Sequence, residues 1–122
     1  MSRPAFLTIK RVKCFSTTDP TGGDEIFGVM GPVRFNIGTF NAGDEIILPE
    51  VEHIVPAGEF FVTIKESDTF ADDEIGVIDL TKAMDFDTTS NVQGAGGNYD
   101  ITFFVASVSD GVAEQNEDAA PE

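Results

Sequence analysis

Short runs of β-branched and aromatic residues, broken every few positions by Gly, Pro, Asp or Asn, leave almost no stretch of this chain able to form a packed helix. The clearest runs cover residues 5–14, 25–30, 33–40, 45–48, 60–65, 75–80 and 99–108. In Phe60-Phe61-Val62-Thr63-Ile64-Lys65, Val62 and Ile64 share one face while Thr63 and Lys65 share the other. That alternation is what a half-buried strand requires. A single helical turn fits residues 80–84. Seven or eight short strands with turn signals between them predict an all-β fold, an antiparallel β-sandwich. No fixed repeat and no heptad pattern is visible.

Charge narrows the function. The 122 residues hold 22 Asp or Glu against 7 Lys or Arg, a formal net charge of −15. Eleven Phe and a 41% hydrophobic share supply a core despite that charge. Seven cations cannot build the basic footprint that phosphate neutralisation demands, so nucleic acid is excluded as a partner. Constitutive docking to an anionic bilayer is disfavoured for the same reason. One Cys rules out a disulfide framework, and no run reaches the ~20 apolar residues of a membrane span. The N-terminus shows no signal peptide, which sets a cytoplasmic expectation, although packaging or non-classical export would leave the same sequence.

The acids are unevenly placed. Residues 109–122 carry five acids, no base and one Val as their only large apolar residue. Such a segment buries too little to offset its ordering entropy, so residues 1–108 are expected to form one domain and 109–122 an acidic disordered tail. Within the domain, Glu66-Ser67-Asp68-Thr69-Phe70-Ala71-Asp72-Asp73-Glu74 packs five acids into nine positions. A looser cluster is Asp19-Pro20-Thr21-Gly22-Gly23-Asp24-Glu25. Both adjoin predicted strands. Loops projecting from the same end of a sandwich would bring mutually repelling carboxylates together, a surrounding suited to calcium and its ~6–8 oxygen ligands.

These two loops resemble those of the C2 domain, an eight-stranded β-sandwich that binds calcium at one end. The first calcium loop of that family is similar to Asp19-Pro20-Thr21-Gly22-Gly23-Asp24-Glu25-Ile26-Phe27. The third is similar to the segment from Val62 through Glu66, Asp68 and Asp73 to Ile75-Gly76. The resemblance spans residues 6–108 and implies a cradle of Asp19, Asp24, Glu66, Asp68 and Asp73 for one or more calcium ions. Three departures stand out: Glu66 replaces an Asp, the third loop is one residue short, and Glu25-Ile26 replaces a Pro-Tyr. Phe70, at the middle of the acidic loop, is either a partner-binding tip or a cover for the sandwich end.

Other residues read more plainly. His53 is the only histidine and Cys14 follows an apolar strand, so no Ser–His–Asp or Cys–His arrangement can be built and no enzyme is expected. The Gly-rich stretch 93–98 lacks a following Gly-Lys-Ser/Thr and reads as a long loop before the last strand. Arg11 and Lys13 share a strand face and are candidates for contacting an acidic partner. The expected function is a calcium-binding C2-like interaction module whose acidic loop end meets a protein partner. Two calcium ions would move residues 1–108 only from −10 to −6, so a membrane is expected only through calcium-loaded loops. The alternative is a metal-independent structural or assembly subunit that works through protein–protein contacts.

Overall fold

The computed structural model describes residues 5–19, 22–68, 71–82 and 85–107. The expected tail at 109–122 and Phe70 lie outside them. Among the described residues, nine strands run in chain order as β1 (Ala5–Ser16), β2 (Asp24–Met30), β3 (Val33–Phe40), β4 (Glu45–Ile47), β5 (His53–Val55), β6 (Phe61–Glu66), β7 (Asp73–Asp79), β8 (Thr88–Gly94) and β9 (Gly97–Ser107). A 3₁₀ turn at Leu80–Lys82 takes the place of the expected helical turn. One antiparallel sheet has the order β4-β1-β9-β8, with β5 also paired to β1, and the other has the order β3-β2-β6-β7. β4 pairs with Arg11 to Lys13 and β5 with Ala5 to Leu7, so the two short strands occupy one edge in succession. The nine segments therefore fill eight strand positions, as the β-sandwich expectation requires.

β1 shows how the fold copes with its own sequence. Leu7, Ile9, Val12 and Cys14 are all buried, although Ile9 and Val12 are three apart. A register shift against β9 falls between Ile9 and Arg11. The bulge absorbs one residue, and without it the next residues inward would be Arg11 and Lys13. Both cations instead remain exposed. Between the sheets lie Val62, Ile64, Ile75 and Ile78 on one side and Tyr99, Ile101 and Phe103 on the other. Gly28 makes room for one large ring, since a Cβ there would meet the Phe35 ring at 2.5 Å.

Two strands escape the sequence reading, β5 and β8. With β8 in place, the Gly-rich stretch is not a long loop. Gln93 pairs with Asn98 and Gly94 with Gly97, leaving a two-residue turn. Ala95 and Gly96 both have positive φ, 55° and 90°, the twist-matched turn of a tight hairpin.

The antiparallel directions gather the described residues 17–19 and 22–23, 41–44, 67–68 and 71–72, and 95–96 at one end. Backbone bonds tie them together: Gly43 N–H donates to Cys14 C=O at 2.8 Å and Ser67 N–H to Glu25 C=O at 2.9 Å. The Ser16 hydroxyl donates to Gly96 C=O at 2.9 Å. Both acidic loops sit at this end.

Candidate metal centre

Glu66 continues the inward alternation of Val62 and Ile64, which places its carboxylate on the core side at the last position of β6. It is only 7% exposed. Its cross-strand neighbours are Ile26 on β2 and Asp73 on β7. Like charges directly opposite each other on neighbouring strands are destabilising. Asp68, two residues beyond Glu66, completes the group: one oxygen from each of Glu66, Asp68 and Asp73 lies within 4.8 Å of the others. The loop closes on itself through Asp68 N–H donating to Asp72 Oδ1 at 3.3 Å.

The electrostatics follow from this crowding. Burial pushes the Glu66 carboxyl above its ordinary range, and the charges of Asp24, Asp68 and Asp73 push in the same direction. The neighbouring Thr18 hydroxyl opposes them. A divalent cation among these oxygens would relieve the repulsion, and the donor set is all oxygen, with no His or Cys in the group. That chemistry fits calcium or magnesium rather than zinc or copper. Three carboxylates, from the end of β6, the following loop and the start of β7, leave further positions for carbonyls and water, which suits the flexible ~6–8-fold shell of calcium better than the strict octahedron of magnesium.

The first acidic loop behaves differently. Asp24 has no exposed surface, and its carboxylate accepts three hydrogen bonds. Thr18 N–H and the Tyr99 hydroxyl both donate to Oδ2, at 2.8 and 2.5 Å, and the Thr18 hydroxyl donates to Oδ1 at 2.8 Å. Asp19 is exposed, and its backbone carbonyl accepts from the Thr17 hydroxyl at 2.6 Å and from Gly22 N–H at 3.4 Å. The structure thus brings Glu66, Asp68 and Asp73 together. Among the described residues, Asp19 and Asp24 are not part of that group. Thr18 and Tyr99 are the participants that sequence reasoning misses: Tyr99 lies 75 positions from Asp24, and no local pattern links them.

Tyr99 is held protonated, its pKa driven up by burial and by the hydrogen bond to Asp24. Burial likewise raises the Cys14 thiol, which removes thiolate character from a free cysteine in the core. His53 stacks on Phe35 with ring centroids 4.1 Å apart. The cations of β1 are engaged within the molecule. Arg11 pairs with Glu45 at 3.2 Å, Lys10 with Asp87 at 3.4 Å, and Lys13 lies over the Phe15 ring at 5.1 Å. Among the described residues no helix is long and apolar enough to cross a membrane.

No protein-family model and no curated protein matches the sequence. Solved structures do match. A C2 domain aligns over 88% of this chain and 100% of its own length, with 22% identity and a TM-score of 0.51. Human GIVD cytosolic phospholipase A2, in complex with a fluorophosphonate inhibitor and terbium chloride, aligns over 88% of this chain at 10% identity and TM-score 0.49. The aligned region is 18% of that phospholipase. A C2 domain of plant extended synaptotagmin 1 aligns over 88% of this chain and 97% of its own, at 8% identity and TM-score 0.44. Two four-position antiparallel sheets, with the acidic loops at one end, give this chain a C2-like fold.

Proposed function

We propose that the chain is a non-enzymatic, cytoplasmic, calcium-binding C2-like module that binds a protein partner through its acidic loop end. The observation that carries this reading is the trio Glu66, Asp68 and Asp73, with oxygens within 4.8 Å of one another and Glu66 buried. Glu66 and Asp73, directly opposite on paired strands, gain from a cation placed between them. Glu66, Asp68 and Asp73 would hold the ion, with Asp19 and Asp24 supplying negative charge from the neighbouring loop. Bound calcium would supply local positive charge and fix the loop, while these residues set where that charge sits. Phe70 belongs to the same loop and is the proposed anchor for the partner. With a formal net charge of −15, the molecule repels anionic lipid even when its loops are loaded, which favours a protein surface.

A second reading is favoured by one specific observation, the internal satisfaction of Asp24. A loop acid that takes three hydrogen bonds from its own chain needs no metal, which suits a metal-independent assembly subunit. Isothermal titration with calcium, paired with melting curves in calcium and in chelator, separates the two. The calcium reading expects binding heat and a higher melting temperature in calcium. Identical curves and no heat would replace it with the metal-independent one.

A further inference from the structure

A sheet edge offers its backbone groups to another chain unless charge, Pro, a bulge or a short strand blunts it. Among the described residues the two sheets have four edges, and three are blunted. β7 carries Asp73, Glu74 and Asp79, and its register against β6 shifts past Ile75. β3 carries Arg34, and its register against β2 shifts past Ile37. β4 and β5 are three residues each and break their edge in two. β8 differs: its seven residues hold no charge and no Pro, and they pair with β9 without a register shift.

The ladder also tells which backbone groups β8 has to offer. Gly94 and Gly97 close a two-residue turn, so they exchange backbone hydrogen bonds, and bonded pairs alternate from there. Thr88, Ser90 and Val92 therefore bond to β9, while the N–H and C=O groups of Thr89, Asn91 and Gln93 point away from it. The side chains agree. The Thr89 and Thr102 hydroxyls meet at 2.7 Å and Asn91 Nδ2 donates to Asp100 Oδ1 at 2.9 Å, the closer approach of non-bonded pairs. β7 does not fill this edge, since its ladder is with β6. It approaches β8 from the core side, where a Cβ on Gly94 would meet the Ile75 carbonyl oxygen and a Cβ on Gly76 would meet Val92 Cβ at 2.8 Å.

We propose that the outer edge of β8 is a strand-addition site, where an extended, cationic segment of a protein partner joins the β4-β1-β9-β8 sheet. Charge selects the occupant. β8 itself is neutral, but Asp100 stands opposite Asn91 on β9, and the Glu74 backbone of β7 comes close to Gly94. The whole chain carries a formal net charge of −15. A strand with Lys or Arg at alternate positions meets opposite charge here, whereas a second copy of the chain would bring like charge. Backbone pairing needs no ion, so the site does not rest on the calcium reading.

The test is fluorescence anisotropy of the full-length chain in chelator at about 0.15 M salt. The probe is a labelled synthetic peptide of about nine residues alternating lysine and valine, long enough to span β8, beside its glutamate–valine counterpart. The lysine peptide is expected to bind at least about tenfold more tightly than the glutamate peptide. Thr89→Pro removes one outward N–H and leaves the backbone bonds to β9 in place. It should weaken the lysine peptide at least about fivefold while a melting curve shows the variant folded. Hydrogen exchange on the wild type gives a reading that needs no variant, should Thr89→Pro fail to fold. The peptide should slow the amides of Thr89, Asn91 and Gln93 and leave those of Ser90 and Val92 unchanged. Absence of binding, equal binding of the two peptides, an unchanged affinity in folded Thr89→Pro, or slowing without that alternation would overturn the proposal. So would a dimer of the chain alone, seen by sedimentation, that Thr89→Pro dissociates, because the edge would then belong to a second copy.

Discussion

The two ends of this sandwich are built on opposite principles. At one end four carboxylates crowd together, Glu66, Asp68 and Asp73 in a group with the buried Asp24 behind them. At the other, an apolar groove of about 320 Å³ is lined by Ala5, Val55, Pro56, Phe60, Leu80 and Val105. The apolar end is stabilised by burial, which responds little to ions. The acidic end carries like charges that weaken the fold until something positive arrives. On the calcium reading, the ion-dependent part of the stability lies at one end of the same two sheets. That reading also predicts that changes at the two ends can be told apart by calcium alone.

The largest effect is expected at the apolar end. Leu80 is 3% exposed and its N–H donates to Phe60 C=O at 2.9 Å, which pins the 3₁₀ turn over the core. Leu80→Ala should cost about 2–5 kcal/mol. Urea unfolding should show the same loss in calcium and in chelator. A loss that depended on calcium would break the separation of the two ends.

Next comes the ion itself. Calcium at about 100 times its dissociation constant should add about 2.7 kcal/mol to a state that alone binds it. Asp68→Asn combined with Asp73→Asn should abolish that gain and leave a folded sandwich, as read from melting curves. If the double variant kept the calcium shift, the ion would have to sit elsewhere. The single variant Asp73→Asn sharpens the point from the other direction. In chelator it removes the charge directly opposite Glu66, and should raise stability by roughly 0.2–1 kcal/mol. A drop in stability would mean that the pair is already compensated within the fold.

The same contrast explains what the sequence can reveal. Val62 and Ile64 alternate cleanly, so β6 is legible, and extending that alternation by one step places Glu66 on the buried face. β8 is not legible, because in Thr88-Thr89-Ser90-Asn91-Val92-Gln93-Gly94 only Val92 is buried. Its place is set by the ladder with β9 rather than by its own composition. β5 is three residues long and stands close to Pro56, which masks it. The hairpin turn reads as a loop because Ala95, not Asn or Asp, occupies its first positive-φ position. At the acidic end, local charge density points to Glu66, Asp68 and Asp73, which the fold brings together. The engagement of Asp24 depends on Tyr99, a long-range contact that leaves no local signature.

The smallest expected effect lies away from the acids and has the clearest sign. His53 on β5 stacks against Phe35 on β3, a contact that joins the edges of the two sheets at an interplanar angle of 22°. Burial lowers its pKa below the ordinary value of 6.5, so the folded chain takes up a proton at this ring less readily than the unfolded chain does. The contribution of His53 is therefore fully present above the unfolded value. It is lost as pH falls through that value toward the lower folded one. Urea midpoints at about pH 7.5 and about pH 5.5 should fall further for the wild type than for His53→Gln, which cannot titrate there. Taking the difference between the two proteins cancels the other titrating groups, including the crowded carboxylates. Equal falls would mean that the stacked ring accepts its proton without leaving Phe35.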